Sequence, residues 1–304
     1  MSYSKLLSPF LLLFSIVTHA EPLYWSAEKG SLSYTLLGSV HVGEASMFPM
    51  PESMTQKLLS ADALIVEADI MRPKGVRYPA TTTTVQKQLN DEQLEALGRI
   101  ARMSGSHLPD LVNLPPWTVA MNLQMNQLQR LGFSPDQGVD LHFMQQAQSQ
   151  NKPIYGLESL QFQIDLFADQ PDGGLEMLLT FMEEFNQTQT LTRCLIDTWN
   201  AGDEGKFEQF AQASEMSPEL EKAFITDRNQ QWAEILDQKQ PLDGQEHTLA
   251  NGNYFVVVGA LHLIGKDNVR ELLVQRGFSL KQLSSSKTAE CEFPSMGKRK
   301  TEES

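Results

Sequence analysis

The sequence predicts an α/β fold: a central, largely parallel sheet flanked by helices and carrying a helical insertion. Three observations predict it. Tyr254-Phe255-Val256-Val257-Val258 is an apolar, β-branched run that ends in Gly259-Ala260-Leu261-His262, and a run of that length reads as a buried strand. Near the other end of the chain, Tyr34-Thr35-Leu36-Leu37 ends in Gly38-Ser39-Val40-His41, the same Gly-x-x-His exit. Between them, strand, helix and strand follow one another from Ser31 to Ala68, a βαβ unit whose two strands should be parallel.

Taken in order, Leu23 to Ser26 and Ser31 to Leu37 alternate around Lys29-Gly30, which predicts a hairpin leading into the first Gly-x-x-His. Pro51 to Ser60 reads as a helix, with Met54, Leu58 and Leu59 on one face. Asp62 to Ala68 is a strand that ends in Glu67. Met71 to Thr84 holds two prolines and four consecutive threonines and reads as a loop. Helices are predicted over Asp91 to Met103, from Pro115-Pro116-Trp117 through Leu131, and over Leu141 to Gln150. The methionines of the second helix suggest either core filler, the commoner use, or a box for a metal or a hydrophobic ligand. Lys152 to Leu157 is a third strand and leads to Glu158. The insertion, about 160–240, is helical from Asp172 to Gln238, with breaks near Asn186, Ala201-Gly202-Asp203 and Ser217-Pro218. After the strand at Tyr254, Val269 to Arg276 is a helix closed by Gly277, and Phe278 to Leu283 is a final strand.

The expected organisation is a signal peptide over 1–20, one domain over 21–283 and a polar, disordered tail over 284–304. Lys5, the apolar Leu6 to Val17 and Thr18-His19-Ala20 form a secretory signal with a cut after Ala20, too short for a good membrane span. The protein is therefore expected in the periplasm or outside the cell, with no stable membrane anchor once the signal is gone. The formal charge of −14 disfavours nucleic acid and anionic surfaces as partners. The basic Lys298-Arg299-Lys300 is brief and Glu302 and Glu303 follow it, so it reads as solvated tail. Nothing in the sequence fixes an oligomeric state. Cys194 and Cys291 are the only cysteines. In an oxidising compartment they can pair, stapling the tail to the body, and the alternative is two free thiols.

The chemistry-bearing groups sit at strand ends: His41, Glu67, Glu158 and His262. Open α/β sheets place ligands at the carboxyl ends of their strands. Two imidazoles and one or two carboxylates form the ligand set of a catalytic divalent metal with an open position. A single His most often satisfies a buried backbone group, and a strand-end Glu is most often a solvated carboxylate. The matched context of His41 and His262 favours a shared site over packing. Arg228 reads either as a surface ion pair or as a clamp for a carbonyl oxyanion or a substrate carboxylate. Gly-x-Gly-x-x-Gly, a phosphate loop, Gly-x-Ser-x-Gly and His-Glu-x-x-His are all absent from the sequence.

With these motifs in hand, the chain resembles bacterial TraB/GumN family proteins, prokaryotic relatives of the Tiki proteases. The resemblance runs from about Leu23 to Leu283. It rests on Leu37-Gly38-Ser39-Val40-His41-Val42-Gly43, Asp62-Ala63-Leu64-Ile65-Val66-Glu67-Ala68-Asp69, Pro116-Trp117, Gly138-Val139-Asp140 and Gly156-Leu157-Glu158. Asp227-Arg228-Asn229 with Trp232, and Val258-Gly259-Ala260-Leu261-His262-Leu263, complete it. The resemblance implies a fold shared with erythromycin esterases and ChaN-like haem-binding proteins. It implies that the two Gly-x-x-His motifs and the strand-end Glu form the active site of a manganese- or cobalt-dependent peptidase. Zinc suits the same donors. His41, His262 and Glu67 are then metal ligands, and Glu67, Arg228 and Glu158 are catalytic candidates. The substrate would be a peptide or protein. The other reading is a non-catalytic protein of the same fold that sequesters a peptide or carries metal or haem.

Overall fold

The computed structural model describes residues 21–294 apart from Lys74, Thr81, Ser214, Glu215 and Ala250, and no side chain of Ala213. The expected signal peptide and the basic Lys298-Arg299-Lys300 lie outside the described residues. Six strands form one sheet in the order β4-β3-β5-β2-β1-β6. They are β1 Tyr24–Lys29, β2 Leu32–Ser39, β3 Ala63–Val66, β4 Ile154–Gly156, β5 Asn253–Gly259 and β6 Ser279–Gln282.

The sheet is mixed where the sequence leads one to expect it largely parallel. The pairings β4-β3, β3-β5 and β5-β2 are parallel. The hairpin partner β1 and the last strand β6 add an antiparallel edge. The reason is the tight turn at Gly30, whose φ of 62° only a glycine adopts readily. It returns β2 antiparallel to β1, and β6 then joins the free side of β1 in the same sense.

The four parallel strands decide where function can sit. Their carboxyl ends lie on one side of the sheet, and each is followed by one of the strand-end groups. Along that edge the order is Glu158, Glu67, His262 and His41, from β4, β3, β5 and β2. Both faces of the sheet are covered, as a buried parallel run requires. On one face Phe255 of β5 meets Phe143 of the helix Val139–Ser149, ring centroids 5.1 Å apart. Its sequence neighbour Tyr254 points the other way and sits beside Tyr34, whose hydroxyl donates to the Leu236 carbonyl of the helix Asp227–Leu236.

The insertion is helical as expected: Leu175–Glu184, Thr188–Ala201, Glu204–Ala213, Pro218–Glu221 and Asp227–Leu236. A π-helical turn at Lys222–Thr226 joins the last two. Part of the insertion forms a second apolar cluster with helices that precede it. Leu97 and Ile100 of Asp91–Met103, and Val119 and Leu123 of Pro116–Arg130, pack with Leu178. Among the described residues no helix is long and apolar enough to cross a membrane.

The tail departs from expectation. Residues 284–294 lie along the insertion and are held there. Cys194 and Cys291 form a disulfide with Cα atoms 5.4 Å apart. Ala289 N–H donates to Asp203, Lys206 pairs with Glu292, and Phe210 meets Phe293. A polar segment with few apolar residues is ordered here because a covalent tie and several side-chain contacts offset its chain entropy.

Candidate active site

His41 follows β2 by two residues and lies at the mouth of a cleft, its side chain 63% exposed. The loop that carries it is clasped by the segment leading into the helix Val139–Ser149. Gly43 pairs with Ser134, and Val139 N–H donates to the Val40 carbonyl. A Cβ on Gly138 would stand 2.5 Å from the His41 carbonyl oxygen. The Gly-Val-Asp motif is thus a close passage of two backbones that delivers Asp140. Its carboxylate is 3.0 Å from His41 Nδ1, and this fixes the ring and turns Nε2 toward the cleft. Desolvation in the cleft opposes protonation of His41. The Asp140 carboxylate and its hydrogen bond, aided by Glu67, outweigh it and raise the pKa to about 9.

Glu67 follows β3 directly and is buried. Its Oε1 accepts the Gly259 backbone N–H at 2.7 Å, and its Oε2 accepts from Arg228 at 2.6 Å. Burial opposes ionisation, but His262, His41, Arg228 and the Gly259 N–H together lower its pKa to about 2. His262 sits on the short helix Ala260–Leu263 directly after β5 and is 5% exposed. Its Nδ1 is 2.7 Å from Asn229 Oδ1, and its Nε2 faces Arg228 Nη1 at 3.1 Å. Burial is the main force holding this imidazole neutral, reinforced by Arg228 and His41, with a pKa of about 3. A neutral His262 carries its proton on Nδ1, donates to Asn229 and accepts from Arg228.

The two imidazoles converge on one atom. His41 Nε2 and His262 Nε2 each lie 4.0 Å from Glu67 Oε1. Gly259 makes this possible. Its φ of −51° is ordinary, so the glycine serves space and not backbone freedom. A Cβ there would lie 3.1 Å from Glu67 Oε1, 3.5 Å from His262 Cδ2 and 3.7 Å from His41 Nε2.

Glu158 follows β4 by two residues and stands behind this group, 4% exposed. Its oxygens accept from Arg228 at 2.7 and 3.1 Å, from Trp232 Nε1 at 3.1 Å and from Gln163 at 2.9 Å. Burial raises its pKa, against the pull of Arg228. Arg228 lies in the first turn of Asp227–Leu236, immediately after the π-helical turn. A guanidinium has five N–H donors, and here each has an acceptor: Glu158 twice, Glu67, His262 and the Phe224 carbonyl. No donor is left for a substrate oxygen. The sequence expects an oxyanion clamp at Arg228; as placed, its donors bind both carboxylates, one imidazole and the Phe224 carbonyl.

The expected site residues His41, Glu67, Glu158, Arg228 and His262 all meet in one cluster. Sequence reasoning assigned no role to Asp140 or Asn229, which orient the two rings. Their signals were local: an Asp beside a glycine at a helix start, and an Asn next to the candidate Arg. Ser39 was also passed over. It is buried beside the cleft, and its Oγ has no partner among the described residues.

The donor set fits a divalent metal in kind: two imidazole nitrogens with tethered Nδ1 atoms, and one ionised carboxylate. As placed, no group of three His, Cys, Asp or Glu side chains among the described residues is close enough to hold one ion. The 4.0 Å separations and the Arg228 N–H on His262 account for that.

A model described as the TraB/PrgY/gumN family matches residues 23–282. The chain is 32% identical over 248 residues to the uncharacterized protein YbaP of Escherichia coli (strain K12), covering 80% of this chain and 89% of the relative. It is 32% identical over 242 residues to the uncharacterized protein YbaP of Shigella flexneri, covering 78% and 86%. No solved structure matches it significantly.

Proposed function

The chain belongs to the TraB/PrgY/gumN family, and on that premise we propose that it is an exported, metal-dependent hydrolase that acts on peptides. The observation that carries this reading is the convergence of His41 Nε2 and His262 Nε2 on Glu67 Oε1, 4.0 Å from each, at the ends of three neighbouring strands. His41, Glu67 and His262 would hold the ion: manganese or cobalt by family resemblance, with zinc suited to the same donors. When bound, such an ion lowers the pKa of water and polarises a carbonyl.

The chain's own residues supply the rest. Glu67, ionised down to a pKa of about 2, suits a ligand better than a general base working at neutral pH. Asp140 and Asn229 fix the ring orientations. Arg228 and Glu158 are positioning residues: the guanidinium ties Glu67 and Glu158 together, and Trp232 and Gln163 anchor Glu158. His41, exposed at the mouth and paired to Asp140, holds a proton at neutral pH until a cation displaces it.

Export has its own support. A disulfide between Cys194 and Cys291 suits an oxidising compartment such as the periplasm, in keeping with the signal-like residues 1–20. A formal charge of −14 argues for a peptide or protein substrate over nucleic acid. The superfamily affiliation with Tiki proteases and erythromycin esterases belongs to this proposal and rests on the motifs.

The test is hydrolysis of a peptide library by the purified chain, with and without added manganese or cobalt, beside His41→Ala. The expected result is metal-stimulated cleavage that the variant loses. Cleavage by neither preparation, or equal cleavage by both, overturns the reading. His41 is the clean target because its ring is exposed. The sequence suggests the same experiment at His262, but that buried ring bonds Asn229 and Arg228, so its removal should also cost about 1–3 kcal/mol of stability. A second reading, a non-catalytic peptide-binding or metal- or haem-carrying protein, is favoured by one observation: Arg228 already pairs with both carboxylates and occupies His262. Peptide binding without turnover would identify it.

A further inference from the structure

We infer that Trp199, on the helix Thr188–Ala201, is a positioning residue for both imidazoles of the site. The inference rests on the hydrolase reading and deepens it by naming a further residue on which that site depends.

The indole of Trp199 is buried, and its Nε1 donates to the Gly38 carbonyl over 2.7 Å. A buried indole usually finds some acceptor, so the bond by itself says little. The identity of the acceptor says more. Gly38 opens the first Gly-x-x-His, just where its strand partner runs out: β1 begins only at Tyr24, opposite Leu37. The Leu23 carbonyl still takes the Gly38 N–H at 3.3 Å. The Gly38 carbonyl is met by the indole, from 161 residues further along the chain. A buried carbonyl needs such a partner.

Gly38 is also where the two Gly-x-x-His motifs pass each other. It lies in register with Val258, and Ser39 with Gly259. A Cβ on Gly38 would stand 3.1 Å from Ala260 Cα and 3.2 Å from Ala260 Cβ. Ala260 starts the short helix that carries His262. A displaced Gly38 is therefore felt twice: at His41, three residues on, and through Ala260 at His262. Backbones packed this closely transmit a shift and do not absorb it.

The same helix also touches the second loop of the site. Arg193 lies over the ring of the buried Phe133, 5.4 Å from its centroid. Ser134, next in the chain, exchanges both backbone bonds with Gly43. From there the segment runs on to Asp140, the partner of His41 Nδ1. The helix is itself fastened: Cys194 is bonded to Cys291, and the Lys287 N–H donates to the Ala201 carbonyl. The ordered tail thus anchors the helix that meets both loops.

The test compares the parent with Trp199→Phe and with a chain carrying benzothienylalanine at position 199, which keeps the shape of the indole and lacks its N–H. Trp25→Phe makes the same change at a similarly buried indole, whose ring faces Arg270, and serves as the control. Amide hydrogen exchange of the metal-free protein is a readout that needs no turnover. The Gly43, Ser134 and Val139 amides report on the two loops, and those of Ile65 and Val256 on the sheet. Both changes at position 199 should speed exchange of the three loop amides about tenfold relative to the two strand amides, as loss of one buried bond allows. Trp25→Phe should speed no loop amide selectively. In manganese-stimulated peptide cleavage kcat should fall about tenfold with KM unchanged, the mark of lost alignment. Exchange that is unchanged or rises equally in loops and sheet overturns the inference, as does a control that responds like the position-199 chains. A benzothienylalanine chain that fails to fold also overturns it, because the N–H would then serve the fold at large. If the loop amides respond and the parent cuts no peptide, the positioning of the rings stands and the hydrolase reading falls. If the parent cuts and the position-199 chains cut equally well, the hydrolase reading stands and the inference falls.

Discussion

The backbone N–H of Gly259 donates to Glu67 Oε1 over 2.7 Å, one strand across from it, in a space where a Cβ on Gly259 would stand 3.1 Å from that oxygen. The glycine is thus both a donor to the carboxylate and the gap through which two imidazoles approach it. Gly259→Ala keeps the N–H and fills the gap. Since φ is −51°, alanine meets no backbone strain and lowers the entropy of the unfolded chain by ~0.4–1 kcal/mol. Arg228 holds Glu67 from behind and limits how far it can yield. The expected outcome is a thermal midpoint within a few degrees of the parent, with a loss of about tenfold or more in manganese-dependent peptide hydrolysis. A variant as active as the parent would mean that the three groups do not act through their shared approach.

How much of this was legible in the sequence follows from which contacts are local. A β-branched run ending in Gly-x-x-His marks β2 and β5 because strand, glycine and histidine are neighbours in the chain. The placement of Glu67 follows from β3 ending one residue before it. Strand order does not follow, because β5 enters between β2 and β3 from more than 180 residues away. The antiparallel edge was half visible: the hairpin was, the docking of β6 on β1 was not. That the donors of Arg228 are taken up within the protein was not legible, because its acceptors Glu67, Glu158 and His262 come from three other segments. The tail reads as disordered in the sequence, although the Cys194–Cys291 staple is foreseen there as one alternative; its other partners, Asp203 and Phe210, lie in the insertion and were not legible.

Stability should carry the imprint of His262 on the acid side. Its folded pKa, about 3, lies below the ordinary 6.5. Below 6.5 the unfolded chain binds a proton that the folded chain refuses, so stability is full above that pH and falls as pH drops toward 3. The slope approaches ~1.4 kcal/mol per pH unit for one such group. Glu67, lowered from 4.5 to about 2, adds a second loss as pH falls from 4.5 through 2. Urea unfolding between pH 7 and 4 checks this. His262→Gln should be less stable throughout but should show a shallower slope between 6.5 and 4.5, where Glu67 has yet to titrate.

His41 should behave in the opposite sense. Its pKa of about 9 is sustained against desolvation chiefly by Asp140. The stabilisation is full below 6.5 and is lost as pH rises through 9. Asp140→Asn retains a hydrogen-bonding side chain and removes the charge. In the metal-free protein, the His41 titration followed by NMR should move down from about 9 toward the ordinary value. An unmoved titration would show that Asp140 does not set the charge state of this ring.

Ser39 separates a ligand-facing role from a structural one. It ends β2, pairs in register with Gly259 and lines the cleft. Its hydroxyl is buried and has no partner among the described residues. Removing a hydroxyl that bonds to nothing in the folded protein costs little and can even stabilise, because no partner is orphaned and a desolvation penalty disappears. Ser39→Ala should therefore leave the urea midpoint unchanged or slightly raised. If the hydroxyl exists to meet substrate or bound water at the cleft floor, the same variant should lower the rate of peptide cleavage by about three- to tenfold, the equivalent of one neutral hydrogen bond of ~0.5–1.5 kcal/mol. Loss of stability together with unchanged cleavage would place the hydroxyl in the packing of β2 against β5 and remove it from the site.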